Sequence, residues 1–178
     1  MPLLFTSQGQ VNAMVPFDIA VNASQQVIVR RGNTYSVPEP VSVSHADPGA
    51  FTSDSSGKGA AIVVNVNADG TSYVVSPSSP ARPGGVLVIY CTGLGAVQSA
   101  IEAGDPTPLS PLAQTTDPVT ATIGGAQAQV LFAGLVPGFS GLYQVNAIVP
   151  SNVPVGDSVP LVLTAGGEPG PSVSIAIR

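Results

Sequence analysis

The sequence predicts an all-β protein, built as a β-sandwich or a β-barrel. Glycine and proline occur 20 and 18 times in 178 residues, so breaks recur too often for long helices. Hydrophobic residues make up 44% of the chain and charged residues only 8%, which excludes both a coiled coil and a polar disordered segment. Between the breaks lie short apolar and β-branched runs bounded by turn signals, the pattern of many short strands.

Eight such runs mark the expected strands, in chain order residues 27–29, 62–66, 86–91, 119–123, 128–132, 144–149, 159–164 and 173–177. Several of them alternate, so that Val159, Leu161 and Leu163 would lie on one face of a sheet. Asp69-Gly70 and Gly124-Gly125 separate such runs and are typical of hairpin turns. The pattern therefore predicts strands joined by tight turns.

A seven-residue motif occurs twice in the chain. Residues 10–16 (QVNAMVP) return as residues 144–150 (QVNAIVP), with six identities at an offset of 134. The same offset aligns Gly32 with Gly166, and Leu4-Phe5 aligns with Leu131-Phe132 after a seven-residue adjustment. We therefore expect residues 1–48 to be the C-terminal half of a truncated unit and residues 49–178 to be a complete copy, so that this sequence begins within a domain.

The leading half-unit would lack the strands that cover its apolar face. Half a sandwich leaves both an apolar face and unpaired strand edges exposed to water. We expect residues 1–48 to be ordered and to bury that face, either on the 49–178 module or on a second chain. A homodimer or other self-association through the half-unit is the favoured route.

Distinctive motifs lie in the second copy, at residues 120–125 (TATIGG), 130–138 (VLFAGLVPG) and 141–146 (GLYQVN). They resemble the uncharacterised C-terminal domain family of acidobacterial (Solibacter-type) secreted proteins, and the resemblance extends over residues 49–178. Residues 1–48 are similar to the second half of the same family. No activity or binding residue is established for that family, so none is transferred.

The resemblance implies an immunoglobulin-like (Ig-like) β-sandwich, usually terminal in large exported proteins and often in tandem. An extracellular or cell-surface location is therefore expected for the parent protein, although this chain shows no signal peptide. In Ig-like folds a tyrosine near the start of one strand commonly fastens a loop through its hydroxyl, and Tyr143 lies at that point.

Only a few residues could support catalysis. His45 is the single histidine, and Asp47 follows it at the seam between the two units. Cys91 is the single cysteine and lies in an apolar run, where we expect it to be buried and unreactive. The chain has no Gly-x-Ser-x-Gly motif, and zinc would require more histidine or cysteine ligands. If the chain is an enzyme, His45 and Asp47 are the candidates for a weak or promiscuous ester or phosphoester hydrolase, with or without a metal.

No cofactor is expected, and calcium is the alternative. Its ligands are carboxylates and loop carbonyls, and five aspartates fall in predicted loops, although no Asp-x-Asp-x-Asp-Gly loop occurs: Asp54, Asp69, Asp105, Asp117 and Asp157. Solvated turns are the simpler interpretation of these residues.

The charges and the apolar runs exclude two classes of partner. The net charge is −5 and the only adjacent cations are Arg30 and Arg31, so a nucleic-acid partner is not expected. The longest apolar run, residues 86–91, is too short for membrane insertion. The sequence thus predicts a non-catalytic exported Ig-like module, a structural spacer or an adhesion or assembly domain of a larger protein, with the hydrolase as the alternative.

Overall fold

The computed structural model describes residues 1–178 and confirms the all-β prediction, because it contains sixteen strands and no helix. No helix capable of crossing a membrane is therefore present. The strands are β1 (Leu3–Thr6), β2 (Val11–Ala13), β3 (Ala23–Val27), β4 (Arg30–Arg31), β5 (Thr34–Tyr35), β6 (Glu39–Val43), β7 (Gly49–Ala50), β8 (Val63–Val66), β9 (Ser72–Val74), β10 (Val86–Thr92), β11 (Val119–Ile123), β12 (Ala126–Leu135), β13 (Tyr143–Ile148), β14 (Gly156–Ala165), β15 (Glu168–Pro169) and β16 (Val173–Ile177).

Ten strands of the 49–178 module form one hydrogen-bonded array. Its order is β15-β14-β11-β12-β13-β10-β8-β9, with β16 on β14 and β7 on β10, and every strand pair is antiparallel. The long strand β12 serves both halves of the array, because residues 126–128 pair with β11 and residues 129–135 pair with β13. A β-bulge between Val130 and Phe132 lies in the part of β12 that pairs with β13. This arrangement is consistent with an antiparallel β-sandwich.

One hydrophobic core fills the module. Its largest fully buried side chains come from both halves of the array and include Leu87, Ile89, Ile123, Leu161 and Ile177. The cluster contains 27 buried residues, and all of them lie between Ala46 and Ile177. The packing energy of this protein is therefore concentrated in the second unit.

The predicted strand bounds agree with the structure where apolar and polar residues alternate clearly along the sequence. Strands β11 and β16 occupy the predicted residues 119–123 and 173–177, and Gly124-Gly125 forms the turn between β11 and β12 with φ of +57° and +81°. Such positive φ values suit a two-residue hairpin turn and favour glycine. The strand predicted at residues 27–29 is wrong in position, because β3 ends at Val27 and the chain continues into the β4–β5 hairpin.

Candidate interaction surface

Residues 1–48 fold into three small two-stranded sheets that are not part of the large array. Strand β1 pairs with β2, β3 with β6, and β4 with β5. No residue before Ala46 is buried. The leading segment is therefore a set of paired strands without a core of its own.

The pairing of β3 with β6 matches that of β14 with β16 at three consecutive positions, at an offset of 134 residues; β14 has a bulge between Gly156 and Val159 that β3 lacks. Gln25 lies opposite Val41, and Val159 lies opposite Ile175. The next two positions agree in the same way, at residues 26/40 and 160/174 and at residues 27/39 and 161/173. The short sequence identities are thus accompanied by a common strand register.

The two hairpins next to these strands also correspond. Arg31 lies opposite Thr34 as Ala165 lies opposite Glu168, and the glycines that follow, Gly32 and Gly166, have φ of +59° and +57°. Strands β1 and β2 have the register of β12 and β13, including a bulge between Leu3 and Phe5 that matches the one between Val130 and Phe132. All three small sheets therefore have counterparts in the complete unit.

Equivalent side chains differ in burial. The exposed fractions are 46%, 49% and 48% for Val11, Val15 and Val29, and 0%, 1% and 3% for their counterparts Val145, Val149 and Leu163. Leu4 and its counterpart Leu131 are exposed in both units, at 56% and 52%. The leading segment thus exposes three positions whose counterparts lie in the core of the complete unit, and it also exposes a position that faces solvent in both.

Two strand edges of the leading segment lack a neighbour that the complete unit has. Strand β13 lies between β12 and β10, whereas its counterpart β2 pairs with β1 alone. Residues 161–165 of β14 pair with β11, whereas the equivalent residues 27–31 have no strand on that side. The sequence repeat could have located both edges, since the offset assigns each strand its counterpart.

The leading segment contacts the module at a few points. The ring of Pro2 lies against Gly104, and Met14 lies so close to Gly141 that a methyl group there would overlap its Sδ atom. Phe17 is half-buried against the core of the module. Sequence reasoning missed these contacts, because no pattern in the sequence relates the hairpin β1–β2 to the loops at Gly104 and Gly141. They leave the apolar positions described above uncovered.

The seam at residues 45–48 is held tightly by the module. Ala46 and Pro48 are buried, and the Asp47 amide donates to the Gly93 carbonyl at 2.8 Å. Gly93 has no room for a side chain, because a methyl group there would overlap the Asp47 carbonyl, and Gly170 is similarly close to the Pro48 carbonyl. The main chain of the seam therefore packs directly on the main chain of the second unit.

The side chains of His45 and Asp47 point away from that packing. Both residues are exposed, and neither side chain makes a hydrogen bond or an ion pair within the chain. The nearby Ser44 hydroxyl donates to the Ala46 carbonyl at 2.8 Å, so it is not bonded to the imidazole. No serine hydroxyl is hydrogen-bonded to the imidazole of His45, and the hydrolase stays a hypothesis.

Cys91 is fully buried in β10, as predicted. Burial raises the pKa of its thiol to about 12, because the thiolate would be desolvated there. Its neighbour across the strand pair is Tyr143, whose pKa is also raised by burial. A thiol in this environment is a packing group rather than a nucleophile.

Tyr143 fastens a loop, as its position in the sequence suggests. Its side chain is 5% exposed, and the hydroxyl donates to the Gly95 carbonyl at 2.5 Å. Gly95 lies 48 residues earlier, in the loop that follows β10. This hydrogen bond joins the start of β13 to the loop that follows its neighbouring strand β10.

The five aspartates are dispersed over the module. The Ser56 amide and hydroxyl donate to the Asp54 carboxylate, and these hydrogen bonds lower its pKa. The Thr71 hydroxyl and amide likewise donate to the Asp69 carboxylate and lower its pKa. Asp157 pairs with Arg178. Asp105 is exposed and Asp117 half-buried, and no three histidine, cysteine or acidic side chains form a group that could hold a metal ion. Calcium binding stays a prediction.

Comparisons with protein-family models, curated proteins and solved structures found no match. The resemblance to the acidobacterial family therefore stays a prediction.

Proposed function

We propose that this chain is a non-catalytic Ig-like module with the second half of a similar unit in front of it, acting as a structural spacer or an adhesion or assembly domain of a larger exported protein. The observation that carries the proposal is the common strand register of residues 1–48 and the second unit, at an offset of 134. Two segments that share register, bulge and hairpin are best explained as tandem copies of one unit.

The Ig-like character rests on the antiparallel sandwich arrangement and on the family resemblance; the Tyr143 hydroxyl bonds a loop 48 residues earlier, not the nearby backbone as in a tyrosine corner. The resemblance of the motifs at residues 120–146 to a family of secreted proteins supports an extracellular or cell-surface location. A spacer or assembly role fits a chain whose leading segment exposes an apolar strand surface.

Self-association through residues 1–48, as a homodimer or a larger assembly, is part of the proposal. Val11, Val15 and Val29 are each about half exposed. Full burial of a valine stabilises by about 1.5–3 kcal/mol, so covering these three would contribute about 3 kcal/mol in total. The unpaired edge of β2, beside Val11, offers backbone hydrogen bonds to a second copy as well.

Two aspartate substitutions test the proposal, one at a position whose counterpart is buried and one at a position whose counterpart is exposed. Val11→Asp places a carboxylate where the complete unit has the fully buried Val145, so we expect it to weaken self-association about tenfold or more. Leu4→Asp is the control, because Leu4 and its counterpart Leu131 are both exposed. Sedimentation velocity over a range of concentrations measures the effect.

Three results would contradict the proposal. The first is a chain that is monomeric at every concentration. The second is a Leu4→Asp variant that weakens association as much as Val11→Asp does. The third is proteolysis that removes residues 1–48 without changing the stability of the rest. Any of these would mean that the leading segment does not pair through the positions that correspond to the core.

A further inference from the structure

The edge formed by residues 27–31 has free backbone groups that point outward. Neither the amide nor the carbonyl of Ile28 is hydrogen-bonded within the chain, and the amide of Gly32 is also free. Val29 differs, because its carbonyl accepts from Ser36 N at 2.8 Å and its amide donates to Ser36 Oγ at 2.9 Å. Since successive residues of a strand direct their backbone groups to opposite sides, Ile28 and Arg30 face the open side.

The complete unit shows what occupies this side. The carbonyl of Leu163 accepts from Gly170 N at 2.8 Å, as Val29 accepts from Ser36, so the two strands have the same orientation. On the opposite side Val162, the counterpart of Ile28, pairs with Thr122 of β11. The Gly166 amide, the counterpart of Gly32, donates to the Pro118 carbonyl at 3.1 Å. Each free group of the edge therefore has a known partner in β11 or just before it.

The chemistry of β11 defines the strand that would fit. Ala121 and Ile123 are fully buried, whereas Thr120 is exposed and Thr122 half-buried. Asp117, which precedes the strand, lies against Gly166, so its equivalent would lie at Gly32, next to Arg31. An occupant thus needs apolar side chains at alternate positions, threonine between them and an acidic residue before the strand.

We propose that residues 27–31 are an acceptor site for an antiparallel β-strand of the Val119–Ile123 type, supplied by the first half of a similar unit. The register places the equivalent of Thr122 opposite Ile28 and the equivalent of Ala121 opposite Val29. This inference rests on the proposed function, since it takes residues 1–48 to be an incomplete unit.

A labelled peptide of residues 117–125 tests the site on the full chain by fluorescence anisotropy. We expect saturable binding of one peptide per chain. Methylation of the Thr122 amide nitrogen removes a donor that faces Ile28, so affinity should fall about tenfold, the loss of one hydrogen bond. Methylation of the Ala121 nitrogen, which faces away from the acceptor, should change affinity no more than about twofold.

Two proline variants test the same register from the other side. Ile28→Pro removes the free amide of the edge and should weaken peptide binding about tenfold, because proline is tolerated at a strand edge but cannot donate. Gln26→Pro is the matched control, since the complete unit has Pro160 at that position, and it should leave affinity within about twofold. If Ile28→Pro unfolds residues 27–31, the two methylated peptides still show whether the strand binds in this register.

Absence of saturable binding, or equal effects of the two methylated peptides, would overturn the acceptor site. Self-association that Ile28→Pro abolishes, in a chain that binds no peptide, would show that a second copy takes the edge and would overturn it too. The Val11→Asp test concerns β2 and not this edge. Failure of peptide binding with a normal Val11→Asp result therefore refutes the acceptor site and leaves the proposed function standing.

Discussion

The hydrogen bond from Tyr143 to Gly95 gives a sharp test of how the second unit is held together. Tyr143→Phe removes only the hydroxyl, and no other group in the chain donates to the Gly95 carbonyl. Gly95 is half-buried and the tyrosine that covers its carbonyl is 5% exposed, so water replaces the lost donor poorly; leaving the acceptor without its partner costs about 1–3 kcal/mol, and we expect a loss of about 2 kcal/mol. In a protein of this size that corresponds to a decrease in Tm of roughly 4–8 °C.

Tyr73→Phe is the matched control for this experiment. Its hydroxyl donates to the Pro80 carbonyl at 3.0 Å, but the residue is only half-buried, so water can replace the lost donor. We expect a loss of about 0.5 kcal/mol, or a Tm decrease of about 1–2 °C. Thermal and urea unfolding followed by circular dichroism measure both variants. Equal losses for the two would refute the argument that the Tyr143 hydroxyl fastens the loop.

The remaining predictions concern Cys91, the seam and calcium. The pKa of Cys91 rises from 9.0 unfolded to about 12 folded, so the unfolded chain loses the proton first and stability falls by about 1.4 kcal/mol per pH unit between those values. Cys91→Ala should remove this part of the slope in urea unfolding at alkaline pH; an unchanged slope would exclude the thiol as its source. His45→Ala should hydrolyse activated esters no more slowly than the wild type, and turnover that disappears in the variant would establish the hydrolase. Calcium should not raise Tm; an increase that a chelator reverses would show a cation site.

The sequence was most informative where apolar residues alternate with polar ones. Strand β11 and the turn Gly124-Gly125 follow directly from that pattern, because inward residues and a two-glycine turn leave few alternatives. Strand β3, Ala23–Val27, was missed because serine and glutamine carry little strand signal. Its position is set by pairing with β6, which local propensity cannot reveal.

The candidate surface was only partly predictable. The repeat at an offset of 134 is enough to infer that residues 1–48 lack neighbouring strands. Which backbone groups remain free depends on the direction of Val29 toward Ser36, and that direction is a property of the folded hairpin. The contact of Met14 with Gly141 is also tertiary, since the two residues are distant in sequence and share no pattern.

The seam at residues 45–48 has a mechanical consequence. Because Ala46 and Pro48 are buried and Asp47 is hydrogen-bonded to Gly93, these residues provide no slack when the two units are pulled apart. Fully extended, the four residues would span at most roughly 14 Å, and they could reach that length only after leaving their packed positions on the second unit. In the tandem array proposed above, such seams would resist stretching at low force. The array would lengthen in steps as the seams separate one after another at higher force. A substitution at Gly93 would weaken the packing of the seam on the second unit. It would lower the force at which that seam separates while leaving the neighbouring units folded.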